Sequence, residues 1–90
     1  MTVRHNPAHS RYELDTEHGI AVAVYSVQGD QAIFTHTEVP SAEEGKGIAT
    51  RLVRAALDDT RQRGLKIVPA CSFVAAFMRR HPEYASVRPA

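Results

Sequence analysis

The stretch that decides the fold is Glu43–Leu52, "EEGKGIATRL". Two glycines stand one residue apart, and an amphipathic pattern begins directly after them. Glycine is a poor helix former, so its placement at this point needs a cause. One cause is steric, a tight strand-to-helix connection. The other is chemical: the start of a helix presents unpaired N–H groups and the positive end of its dipole, which suits a phosphate. Gly45 and Gly47 carry no Cβ to keep an oxygen away from the backbone. Lys46 between them adds a mobile positive charge.

Downstream, Ile48, Ala49, Leu52, Val53, Ala56 and Leu57 make one apolar stripe, opposite Thr50, Arg51, Arg54, Asp58, Arg61 and Gln62. That spacing predicts a helix of about four turns, ended by Gly64. Upstream, "RYELDTE" (11–17) alternates, with Tyr12, Leu14 and Thr16 on one face and Arg11, Glu13 and Asp15 on the other. It reads as a half-buried strand. "IAVAVYSV" (Ile20–Val27) is nearly all apolar and reads as a central strand, between turn signals at His18–Gly19 and Gly29–Asp30. "QAIFTHTEV" (Gln31–Val39) is a third strand stopped by Pro40. "LKIVP" (Leu65–Pro69) is a short fourth strand. "SFVAAFMRRH" (Ser72–His81) is a second helix with Phe73, Val74, Phe77 and Met78 inward. Met1–Ser10, with Pro7 and no periodicity, reads as a lead-in. The expected fold is α+β in the order β-β-β-α-β-α, an antiparallel three-stranded meander whose third strand is parallel to the fourth across the helical crossover. Residues 1–90 are expected to form a single domain, with 1–9 and 86–90 loosely ordered.

Bulk composition narrows the classes of function. Ninety residues suffice for one small core. Eleven Lys and Arg against ten Asp and Glu leave a formal charge of +1, which argues against a dedicated nucleic-acid binder. No run approaches the ~20 apolar residues of a membrane span, and "MTVRHNPAHS" lacks the apolar segment of a signal peptide. A single cysteine fits a reducing, cytoplasmic setting. The loop is not a Walker motif, because G-x-x-x-x-G-K-[ST] is absent. Nor is it a dinucleotide fingerprint, since Thr50 stands where a third glycine or alanine belongs.

Strand, "TEVP", glycine loop and amphipathic helix together resemble the acyl-CoA pyrophosphate motif of the GNAT N-acetyltransferases, Q/R-x-x-G-x-G/A. Gly45 and Gly47 fit its glycines; Ala42 replaces the usual Gln or Arg. A branch of minimal, single-domain GNAT-like proteins matches more fully. The matching stretches are "RYEL" (11–14), "HTEVP" (36–40), "EGKGIA" (44–49), "LVRAAL" (52–57), "VPACSFV" (68–74) and "RRHPEY" (79–84). They keep their order over most of the chain. Ala49 departs where a third glycine is common, and Ser72 where the family often has proline.

The resemblance implies acetyl-CoA as cosubstrate, no metal, and an unidentified amine as acceptor. It places the pantetheine arm in a gap between the third and fourth strands, beside Glu38 and Val39. The pyrophosphate falls on Gly45, Lys46, Gly47, Ile48 and Ala49, with Arg51 and Arg80 as partners for the remaining phosphates. Phe73 and Phe77 would wall the slot. Cys71, just before the second helix, falls where the CoA sulfur arrives, and a helix start favours a thiolate. His36 is expected to approach it from the neighbouring strand, as a Cys–His nucleophile or as the base for direct transfer. Tyr84 is a candidate acid for the leaving thiolate, or a packing residue. A non-catalytic CoA-binding or interaction module is the alternative reading. The chain is expected to be a monomer or weak homodimer, without nucleic-acid or membrane partners.

Overall fold

Alternation and helical periodicity translate into a five-stranded sheet carrying two helices in the computed structural model, which describes residues 2–89. The strands are β1 (Val3–Asn6), β2 (Arg11–Thr16), β3 (Gly19–Gln28), β4 (Gln31–Glu38) and β5 (Lys66–Pro69), and they lie side by side in chain order. The first three pairings are antiparallel, and β4–β5 is parallel. Helix α1 (Ile48–Gln62) makes the crossover between the parallel strands, and α2 (Ser72–Arg80) follows β5. The α+β order therefore stands as expected, with one strand added at its start.

That strand corrects the expected lead-in. Val3–Asn6 pairs with Arg11–Leu14, so residues expected to be loose belong to the sheet. No periodicity announces it because its support is cross-strand. His5 stacks on Tyr12 with ring centroids 4.3 Å apart, and Arg4 forms ion pairs with Glu13 and Asp15. At the other end, Pro82–Val87 forms a 3-10 turn with Tyr84 fully buried. Of the terminal residues expected to be loose, Met1 and Ala90 lie outside the described residues.

The core lies between one sheet face and the helices. Tyr12, Leu14, Ala21, Ala23, Tyr25, Ala32, Phe34 and Ile67 meet Leu52, Val53, Ala56 and Leu57 of α1 and Val74, Phe77 and Met78 of α2. Glu13 breaks the simple in-and-out rule. It is only 4% exposed on the face away from the helices, where it accepts hydrogen bonds from Arg11, Asn6 and Arg4. A buried carboxylate is tolerable when its oxygens are paired in this way.

A polar cluster joins the far end of α1 to the sheet. The Tyr12 hydroxyl donates to Asp59 at 2.6 Å, Arg63 donates to the same carboxylate at 2.7 Å, and His5 meets the Tyr25 hydroxyl. Tyr12→Phe should cost about 1–2 kcal/mol in chemical unfolding, as expected for a bond to a charged acceptor. Burial, and then Arg63, hold the His5 imidazole below its ordinary pKa, against the pull of Asp59. The unfolded chain therefore binds the proton more readily than the folded one. Stability contributed by neutral His5 should be intact above about pH 6.5 and decline below it; a His5→Phe variant should show a flatter melting profile between pH 7 and 5.

Candidate functional site

The parallel pairing of β4 with β5 stops at Phe34 and Pro69, while β4 runs on to Glu38. Beyond Pro69 the chain turns through Ala70 into α2, so the two strands part and leave a gap at the start of both helices. Next to this gap, the Pro40–Glu44 turn leads into Gly45 and Gly47, whose φ values are +82° and +75°. These left-handed conformations favour glycine, and space is open where either Cβ would stand. The turn requires their backbone angles, and the absent side chains leave a surface uncovered.

The uncovered surface is a cleft of about 250 Å³ lined by Val39, Glu43, Gly45, Gly47, Ile48, Ala49 and Phe73, among others. A second cleft, about 230 Å³, adjoins it through the shared walls Thr50 and Phe73 and is lined by Phe77, Arg80 and His81. The expected cofactor residues Val39, Gly45, Gly47, Ile48, Ala49 and Phe73 therefore converge on one hollow. Phe77 and Arg80 face the next. Lys46 flanks the first cleft but is tied to Glu43, at 3.1 Å. Arg51 is exposed and lines neither cleft, so no contact draws it to the glycine loop beyond its own helical hydrogen bond to Gly47.

Cys71 occupies the position before α2 and packs against the core, half-buried. Its Sγ lies 3.5 Å from the Thr37 hydroxyl. Burial pushes the thiol up, but the Thr37 hydroxyl and the backbone N–H groups of Val74, Phe73 and Thr37 outweigh it, and the thiol sits below its ordinary value. The start of α2 works in the same direction. Thr37→Val should raise the thiol pKa and slow alkylation of Cys71 by iodoacetamide at pH 7.5 by about threefold to tenfold, the scale of one ordinary hydrogen bond of about 1 kcal/mol.

His36 is not the neighbour of this thiol, and here the expected pairing is corrected. Between Tyr25, which faces Phe34, and Val24, which faces His36, the register shifts by one residue. Thr35 is the extra residue of a β-bulge, and it reverses which face each later side chain takes. Thr37 joins Ala23 on the helix side, whereas His36 and Glu38 join Val24 and Val22 on the outer face. There His36 Nε2 meets the Glu38 carboxylate at 3.4 Å, both side chains largely exposed. Glu38 can then border the gap only through its backbone. Tyr84 is also corrected as a candidate acid: its hydroxyl donates to Asp58 and its ring packs on Phe77. Thr37, inside "HTEVP", and Glu43 do hold groups at the site, though neither is singled out from the sequence. Only the bulge and the long-range contacts of the fold reveal them.

Matching against known families aligns residues 11–87 with the GCN5-related N-acetyltransferase model. The chain belongs to the GCN5-related N-acetyltransferase family. It is 35% identical to Protein NATD1 of Bos taurus and of Homo sapiens over 83 residues, 91% of this chain and 66% of each relative. It is 32% identical to Protein NATD1 of Danio rerio over 89 residues, which covers 81% of that protein. The chain thus spans just under two thirds of the bovine and human relatives. A GCN5-like protein from Staphylococcus aureus, solved by NMR, superposes with a TM-score of 0.69 over 99% of this chain and 88% of its own, at 21% identity, and shares the fold. The GCN5-related fold seen here carries its sheet and two helices in this minimal form. Among the described residues no helix is long and apolar enough to cross a membrane.

Proposed function

We propose that this chain is an acetyl-CoA-dependent N-acetyltransferase whose acceptor is an amine. The observation that carries this reading is the cleft itself. The bare glycine loop at the start of α1 opens into the gap where β4 leaves β5, and the Cys71–Thr37 contact lies two residues from the cleft walls Phe73 and Val39. Gly45, Gly47, Ile48 and Ala49 would hold the pyrophosphate with backbone N–H groups, and Lys46 would supply charge. The pantetheine arm would lie along the free edge of β4 past Val39, with Phe73 as a wall. Phe77 and Arg80 suit the adenosine end, where Arg80 can meet a phosphate. Arg51 is left for solvent-exposed phosphate oxygens at most.

In this reading the Cys71 thiolate attacks the acetyl carbonyl, CoA leaves as its thiolate, and a neutral amine then takes the acetyl group from Cys71. The backbone N–H groups around the sulfur are suited to steady the negative charge as it moves to the carbonyl oxygen. His36, on the outer face, has no part in activating the thiol. It remains a candidate for receiving a proton from an acceptor that reaches round the edge of β4, together with Glu38. A reducing, cytoplasmic setting would keep the thiol free. Metal is not required, and a monomer or weak homodimer suffices.

The test is calorimetric titration of reduced protein with acetyl-CoA and with CoA. It should be followed by mass spectrometry for an acetyl group (+42 Da, the mass of one acetyl replacing hydrogen) on Cys71. Binding with acetylation supports the transferase. Binding without acetylation or turnover points to a CoA-binding module, and no binding by folded protein points to an interaction domain.

A further inference from the structure

An acidic side chain stands where an anion site would be expected to exclude one. Glu43 ends the turn before the glycine loop, lines the cleft beside it, and is only 4% exposed. Its two oxygens are both taken. His18 Nδ1, from the β2–β3 turn, lies 2.8 Å from Oε2, and Lys46 Nζ donates to Oε1 at 3.1 Å. The carboxyl is held below its usual range by the His18 hydrogen bond first and by Lys46 next, against the opposing effect of burial. Glu17 adds a further carboxylate within 4.8 Å of this group. The one cation of the glycine loop is therefore spent on an internal partner, while Glu44, which also lines the cleft, adds a carboxylate of its own.

We propose that Glu43 sets the anion affinity of the glycine loop, holding Lys46 as a counter-charge that an incoming diphosphate must draw away. The inference rests on the reading of the cleft as a pyrophosphate site. Two consequences separate it from a purely structural role for Glu43. Removing only its charge strengthens anion binding, whereas removing a structural strut weakens it. The strengthening also depends on Lys46, because a released ammonium is what the anion gains. Glutamine suits the test, since its carbonyl can accept from Lys46 and its amide can donate to neutral His18. His18 then continues to anchor the turn.

The experiment is titration of the reduced protein with CoA, by calorimetry at low ionic strength, for the wild type, Glu43→Gln, and Glu43→Gln combined with Lys46→Met. Glu43→Gln should bind CoA about tenfold more tightly, with the gain shrinking as salt is added. The Lys46→Met addition should cancel it. A wild type that binds CoA while Glu43→Gln binds equally or more weakly overturns the role of Glu43 and leaves the cofactor site standing. A folded wild type that binds no CoA overturns both. If Glu43→Gln does not fold, the wild type still decides. The midpoint of the Glu43 carboxyl carbon signal, followed by NMR against pH, should rise when CoA is bound and Lys46 departs. An unchanged midpoint overturns the proposal.

Discussion

Gly47→Val should lose CoA binding by about a hundredfold or more, roughly 2.7 kcal/mol, while the protein remains folded. Two effects add at this residue. The first is occupation of space. Nothing lies within 4 Å of the point where a Cβ would stand, so the added isopropyl group would project into the opening rather than into the protein. A phosphate oxygen seeking the N–H groups at the start of α1 would meet methyl groups instead. The second is backbone strain. Gly47 sits at φ +75°, a conformation that disfavours β-branched residues most. The left-handed conformation costs about 1–2 kcal/mol in an L-residue, which in a domain of this size lowers Tm by about 5–15 °C. Calorimetry and a melting curve on the same sample separate the two. Lost binding with a modest melting shift supports the cradle. Undiminished affinity would return both glycines to a purely conformational role.

The second large effect belongs to Cys71. Cys71→Ala should abolish acetylation of the protein by labelled acetyl-CoA and reduce transfer to an amine on the order of a thousandfold, the scale of losing a nucleophile. CoA affinity should stay within about twofold, because the sulfur lies beyond the glycine loop. The wild-type acetylation rate should climb with pH and reach its plateau below the ordinary thiol pKa, because the neighbouring hydroxyl and N–H groups stabilise the thiolate. Full turnover by Cys71→Ala would establish direct attack by the amine and remove the covalent step. Cys71→Ser is a stricter control: it keeps the shape of the side chain but offers a hydroxyl too weakly acidic to substitute.

The elements held by local periodicity were legible in the sequence. The stripe from Ile48 to Leu57 put α1 where it stands, and the apolar run of β3 and the stop at Pro40 framed the meander. What escaped depends on contacts distant in the chain. Val3–Asn6 becomes a strand because β2 offers its edge and Tyr12 a ring for His5, and nothing within "VRHN" announces either. The site divides along the same line. The glycine loop and Cys71 stand out as candidates from short spacings and from family likeness. His36 is expected beside the thiol because its strand neighbours the one that leads to Cys71, and nothing in the sequence shows that an extra residue turns it to the other face. Likewise His18 reads as a turn residue until the fold brings it 25 positions forward in sequence to Glu43.

Thr35 has a further consequence for how such a site can change. Because Thr35 has no partner on β3, deleting it would leave His36 opposite Val24 on the outer face and Thr37 opposite Ala23 on the helix side. Flattening the bulge with Thr35 kept in place would instead move His36 opposite Ala23 and turn Thr37 outward. The choice between a hydroxyl and an imidazole beside the thiol is thus held by the pairing of β4 with β3, and not by either residue's own chemistry. A lineage of such proteins could exchange one chemistry for the other by substitutions that ease or tighten a single kink in the strand, with the length of the chain unchanged.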